Sequence, residues 1–216
     1  MKRVTLFCGH YGSGKSNIAV NYAEKIARAG FQTALADIDI VNPYFRSADS
    51  RKELEATGVR VIALPFANSN VDLPALPQEV YGLVQRRDIH AVLDVGGDDR
   101  GALALGRYVP YILEENDYEM LFVVNFYRPL TRDPESALEV LREIETAAGM
   151  RFTGIVNNSN LGEETTEKVI EQTVPMTEKL SDLSGLPYVM TTMDERFSGK
   201  VKVPEPFPIR LQEKHF

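Results

Sequence analysis

Residues Phe7–Gly30, FCGHYGSGKSNIAVNYAEKIARAG, change character in the middle. The stretch opens as a short apolar run, passes through Gly9, Gly12 and Gly14 to Lys15, and continues as an amphipathic helix. Gly9-His10-Tyr11-Gly12-Ser13-Gly14-Lys15-Ser16 satisfies the pattern GxxxxGK[ST]. Glycines at these spacings let the backbone turn tightly with its N–H groups pointing inward, so that they surround a phosphate. A helix beginning directly afterwards adds unpaired donors and the positive end of its dipole. Gly12, Ser13, Gly14, Lys15, Ser16 and Asn17 are therefore candidate nucleotide-binding residues. Lys15 would reach the β- and γ-phosphates, and the Ser16 hydroxyl would bind Mg²⁺. The bland alternative is a tight turn with an incidental lysine. A strand before and a helix after favour the phosphate loop.

Working outward, apolar runs alternate with helical patterns. RVTLFCG reads as a first buried strand, and Lys15 to Ala29 as a helix with Ile18, Ala19, Tyr22, Ile26 and Ala27 on one face and Gly30 as its stop. TALADID, RVIALP, HAVLDVGG, MLFVVNF, FTGIVNN and LPYVMTT supply six more strands. Asp133 caps a helix with Pro134 at its first position, Ala137, Leu138, Leu141 and Ile144 at helical spacing, and Gly149 at its end. Thr165 to Leu183 is helical, with Pro175 kinking or splitting it. FANSNVDLPALPQ is the main irregular insertion, and the tail VPEPFPIRLQEKHF is expected to lie, broken by prolines, across the surface. Strands that are apolar almost throughout, separated by helices, indicate a mostly parallel sheet covered on both faces. The expectation is an α/β three-layer sandwich of the P-loop NTPase fold, built as a single domain over residues 1–216.

Composition narrows the function classes. A hydrophobic share of 44% and a charged share of 25% are those of an ordinary globule. No apolar stretch approaches the roughly 20 residues that cross a bilayer, and the glycine-interrupted start is not a signal peptide. The single cysteine, Cys8, forms no internal disulfide, which fits a reducing cytoplasm. One cysteine and 3 histidines give no zinc-like spacing. A net charge of −7 argues against nucleic acid as a partner, and the late basic residues Lys200, Lys202 and Arg210 are too few to change that. The terminal IRLQEKHF is too short and polar for a membrane-binding helix.

A nucleotide loop needs carboxylates from neighbouring strand ends to hold Mg²⁺ and position water. Asp37 and Asp39 close TALADID on one side of it, Asp39 being the stronger candidate. Asp94 closes AVLD and begins the pattern Asp94-Val95-Gly96-Gly97, in which the Gly97 N–H is placed to sense a γ-phosphate. Taken singly, such aspartates are turn residues or caps; beside a phosphate loop they read as functional. Asp98, Asp99 and Arg100 read first as the solvated surface of the same loop.

GHYGSGKS, LADIDIVNP and VLDVGG together resemble the MinD/ParA/CobQ-type P-loop ATPases of the SIMIBI class, the group that includes nitrogenase iron protein. The order and spacing match from about Val4 to Thr192. The resemblance implies an ATP- and Mg²⁺-dependent ATPase in which Asp39 positions the attacking water and Asp94 is associated with the metal. It also implies that an asparagine after the sixth strand reads adenine. Asn157 and Asn158 both stand there, Asn158 at the better spacing, and two turn asparagines are the bland reading. The guanine-reading NKxD sequence is absent, so ATP is preferred to GTP. In that family the loop reads KGGxGK[ST], and its first lysine reaches across a face-to-face homodimer. Here His10 and Tyr11 replace the lysine and the glycine after it. Arg46 or Arg100 acting across a dimer, and a histidine acting within its own subunit or without a catalytic part, are the alternatives.

Two function classes follow. The first is an ATP/ADP switch read by a protein partner, with Lys15, Asp39 and Asp94 as catalytic residues and Ser16, Asp39 and Asp94 around the metal. The second is an ATP-dependent small-molecule kinase or ligase of the dethiobiotin-synthetase or cobyrinate-amidating type, with Arg46, Asn68, Asn70 and Arg128 lining the substrate site.

Overall fold

Successive residues of the first strand, β1 (Val4–Cys8), bury on opposite faces of one sheet. Phe7 packs into one apolar cluster, while Leu6 and Cys8 pack into another. The same alternation divides Leu121 and Val123 from Met120, Phe122 and Val124 in β5 (Tyr118–Val124). Both faces being apolar, the sheet has to be covered twice. The computed structural model describes residues 1–39, 48–63, 78–97 and 99–211. The remaining strands are β2 (Thr33–Asp37), β3 (Val59–Ala63), β4 (His90–Asp94), β6 (Gly154–Asn157), β7 (Tyr188–Asp194) and β8 (Pro206–Ile209). They pair in the order β3-β2-β4-β1-β5-β6-β7-β8, every neighbouring pair parallel.

Helices α1 (Lys15–Arg28) and α2 (Ala48–Ala56) cover the Phe7 face, α1 contributing Ile18, Ala19, Ala23 and Ile26. The other face is covered by α3 (Gln78–Gln85), α4 (Asp99–Gly106), α5 (Val109–Glu115), α6 (Pro134–Ala148) and α8 (Val174–Ser184). The short α7 (Glu167–Glu171) adds Ile170 to a separate small cluster with Met193 and Phe197. Helix α6 starts and stops as its sequence dictates: the Asp133 side chain accepts the Ser136 N–H at 2.8 Å, and Gly149 ends the helix in the left-handed region at φ 67°. Pro175 splits rather than kinks the next helical stretch, sitting in the first turn of α8 where its missing N–H costs nothing.

The tail expected on the surface is instead strand β8, which extends the sheet beside β7. Pro206 and Pro208 lie two residues apart, so both missing donors turn to the same side. An edge strand tolerates that arrangement and an interior strand does not. The insertion FANSNVDLPALPQ falls almost wholly outside the described residues.

Arg3 ties the opposite end of the sheet to the helices. Its guanidinium is only 5% exposed and donates to the carbonyls of Val84 (2.8 Å), Arg86 (2.8 Å), Ile89 (3.1 Å) and Leu83 (3.3 Å). It also forms a two-point pair with the Glu115 carboxylate. A planar cation thus satisfies the last carbonyls of α3 and the end of α5 together. Arg3→Ala should lower unfolding free energy by about 3–5 kcal/mol in urea titrations, because it strands a largely buried carboxylate and several carbonyls. Arg3→Lys should recover only part of this, lacking the two-point geometry.

Candidate functional site

The loop between β1 and α1 is held from three sides. Gly14, the residue before α1, has a left-handed backbone with φ 90°, and α1 begins with neither a side-chain cap nor an acidic residue in its first turn. Behind the loop stands Asn158, 4% exposed, whose Nδ2 donates to the Ser13 carbonyl at 2.6 Å. A Cβ on Gly14 would lie 2.2 Å from that nitrogen, so no other residue fits. On another side, Arg128 Nε donates to the Gly12 carbonyl at 2.9 Å. Lys15, 6% exposed, folds back so that its Nζ donates to the His10 carbonyl at 3.3 Å. The loop presents Tyr11, 62% exposed, at its tip, and His10 Nδ1 lies 3.1 Å from the Tyr11 carbonyl oxygen.

Sheet order delivers the carboxylates. Strand β4 lies between β2 and β1, with Asp94 opposite Asp37 on one side and Phe7 on the other. Asp94 is 1% exposed, and neither of its oxygens has a hydrogen-bond partner among the described residues. Burial raises its pKa from 3.8 to about 6; Lys15 and Ser16 pull it down, and Asp39 adds to the rise. Asp37 Oδ1 accepts the Asp39 N–H at 3.1 Å, which makes Asp37 the turn-forming member of the pair. Asp39, 9% exposed, comes close to the loop after β4: a Cβ on Gly96 would lie 3.3 Å from its Oδ1. Gly97 lies against the phosphate loop itself. A Cβ there would be 2.6 Å from the Tyr11 nitrogen and 2.9 Å from Lys15 Nζ. Lys15, Ser16, Asp39, Asp94 and Gly97, far apart in the chain, are thus brought to one place.

Two buried carboxylate oxygens beside a serine hydroxyl fit a hard divalent cation. Ser16 and Asp94, with Asp39 near, would hold Mg²⁺. Among the described residues no group of three or more His, Cys, Asp or Glu could hold a metal by itself.

Beside the loop, a cavity opens at the ends of β6, β7 and β8, lined by Asn158, Asn160, Thr192, Asp194, Ile209 and Leu211 among others. The structure separates the two asparagines. Asn157 is fully buried, donates to Thr173 Oγ1 (2.9 Å) and Tyr188 (3.3 Å), and accepts the Ser159 N–H. Asn158 lines the cavity while accepting the Thr192 hydroxyl at 2.6 Å, so one N–H and one lone pair of its amide stay uncommitted among the described residues. Asn17 lies in the first turn of α1, its carbonyl accepting Asn21 Nδ2 at 2.8 Å. Asp99 and Arg100 open α4. Arg46, Asn68 and Asn70 lie outside the described residues. Sequence reading missed Ile209 and Leu211 as cavity walls because they follow the prolines that disguised β8. Arg128, named from the sequence as a substrate-site residue, donates to Gly12 of the loop, a contact for which no local signal exists.

No family model matches the sequence, and no curated protein is similar enough to match. Solved structures do match. FtsY of Thermotoga maritima superposes with a TM-score of 0.58 at 19% identity, over 89% of this chain and 62% of that one. FtsY of Mycoplasma mycoides gives 0.56 at 17%, over 89% and 60%. The signal recognition particle receptor FtsY of Elizabethkingia anophelis, solved in complex with GDP, gives 0.54 at 17%, over 89% and 57%. The chain therefore spans about three-fifths of the length of these proteins. The likeness establishes the fold: a parallel α/β sandwich of the P-loop NTPase type. Among the described residues, no helix is long and apolar enough to cross a membrane.

The raised pKa of Asp94 has a defined sign. The folded protein holds this proton more tightly than the unfolded chain does. The ligand-free protein therefore loses stability as pH rises from 3.8 to about 6, and the loss is complete above that. Asp94→Asn should melt at a higher temperature than the wild type at pH 7, by roughly 1–3 kcal/mol of stability, with the difference vanishing below about pH 4. The same variant should lose Mg²⁺-dependent nucleotide binding in calorimetry.

Proposed function

We propose that this protein is a Mg²⁺-dependent nucleoside triphosphatase that acts as a conformational switch for a protein partner, with ATP as its nucleotide. The observation that carries the reading is the meeting of Lys15, Ser16 and the buried Asp94 carboxylate under a glycine loop at the start of α1. Loop amides and Lys15 would take the charge of the transferring phosphoryl group, Lys15 exchanging the His10 carbonyl for a phosphate oxygen. Mg²⁺, when bound, supplies charge neutralisation between the β- and γ-phosphates. Asp39, held beside Gly96, would orient the attacking water, and Asp94 would face the metal. Gly97, packed on the loop, would have to move to admit a γ-phosphate. That displacement is what a partner would read. The protein is read as a single domain working in the cytoplasm. A homodimer would have to do without the lysine that His10 replaces.

One observation favours a second reading, GTP. Asp194 lines the cavity beside the loop, and a carboxylate can accept from guanine N1 and N2. One of the similar FtsY structures was solved with GDP. The absence of NKxD and the Asn158 amide on the cavity wall support adenine.

Phosphate release from ATP and from GTP by the purified protein tests both readings. ATP should be turned over and GTP should compete poorly. Lys15→Ala should reduce the rate by about 10²–10³-fold. Asp39→Ala should keep nucleotide bound while slowing release. A protein that binds neither nucleotide at millimolar concentration with Mg²⁺ would sink the assignment.

A further inference from the structure

Helix α1 does more than carry the phosphate loop at its start. One turn further along, the Asn21 side chain grips the segment that follows β8. Its Oδ1 accepts the Arg210 N–H at 2.8 Å, and its Nδ2 donates to the Arg210 carbonyl at 3.0 Å and to the Asn17 carbonyl at 2.8 Å. An amide that bonds both the N–H and the C=O of one residue does what a neighbouring strand would do for it. Around this clamp, the Tyr22 and Phe207 rings meet edge-on with centroids 6.1 Å apart, and Lys25 Nζ lies 4.9 Å from the Phe207 ring centre. The residues on either side of Arg210, Ile209 and Leu211, both line the cavity beside the loop. Ile209 is 2% exposed and fixed in β8 opposite Asp194, whereas Leu211 is 49% exposed and lies past the last strand residue. Among the described residues the ladder ends at Ile209, and Asn21 holds the residue between it and Leu211.

We propose that Asn21 is a positioning residue for the nucleobase. By pinning Arg210, it makes Ile209 and Leu211 the apolar outer wall of a pocket for a purine, facing the polar edge formed by Asn158, Thr192 and Asp194. This rests on the phosphate-loop reading above and extends it to the other end of the ligand. The pocket has the composition a nucleobase requires: an apolar face for the ring and amide, hydroxyl and carboxylate groups for its edge. Asn158 joins the two ends, since the amide on the cavity wall is the one that donates to Ser13 of the loop. Phosphate and base are therefore held by one helix, through its first turn at one end and through Asn21 at the other.

The test compares ATP with inorganic tripolyphosphate, which carries the phosphates and no base, in calorimetric titrations with Mg²⁺. Asn21→Ala should weaken ATP binding by about five- to tenfold, the cost of ordering a released segment, and leave tripolyphosphate affinity unchanged. In amide hydrogen exchange, the same variant should lose protection at Arg210. Leu211→Ser, at an exposed position that the fold does not depend on, should weaken ATP in the same selective way with the clamp intact. A merely structural role for Asn21 would move both ligands together, and that result overturns the proposal. Equal affinity of the wild-type protein for ATP and tripolyphosphate overturns it too, while leaving the phosphate loop standing. A protein that binds neither ligand overturns both.

Discussion

A carboxyl group enclosed by protein, with only the Lys15 ammonium and the Ser16 hydroxyl to offset its charge, is the constraint around which this molecule is arranged. Asp94 ends the strand between β2 and β1, where neighbours on both sides exclude water. In water its charge would be solvated; here only the Lys15 ammonium and the Ser16 hydroxyl act in its favour, and burial outweighs them. Such an arrangement destabilises the fold unless something else neutralises it. The apolar clusters on both faces and the Arg3 anchor supply the stability that lets the centre of the sheet remain strained.

Close backbone approach is the second requirement. The chain after β4 folds back on the phosphate loop through Gly97 and meets α4 where Gly96 and Gly101 touch; a Cβ on Gly101 would be 2.5 Å from Gly96 Cα. These contacts leave no room for side chains, so the loop and the segment after β4 meet backbone to backbone. A movement of one must displace the other, since packed groups have discrete arrangements and little compressibility.

Much of this could be read along the chain, and what could not has a physical reason. The glycine loop, its helix and the parallel sheet are local signals: periodicity, a glycine pattern, strand-end aspartates. Asp94 and Asp39 could be named because strands in this architecture end on one rim. The separation of Asn157 from Asn158 needed coordinates, since alternation says only that two adjacent side chains point oppositely, not which of them meets the loop. Strand β8 was hidden because proline is read as a breaker, and the exemption for an edge depends on a sheet order that sequence does not carry. The pairing of Asn21 with Arg210 joins residues 189 positions apart and leaves no local trace. The folding of Asp133, Pro134 and Gly149 into cap, first turn and stop was legible because all three act within a few residues of themselves.

The prolines of β8 have a consequence beyond the edge they occupy. The outer side of a terminal strand normally offers a row of amide hydrogens on which a foreign strand can assemble. Pro206 and Pro208 remove two of these in succession, and a ladder cannot be laid across that gap. Sheet-to-sheet recruitment is closed along this flank. A partner approaching this flank has to meet helical faces or the rim where the strands end, the same rim that carries the exposed Tyr11.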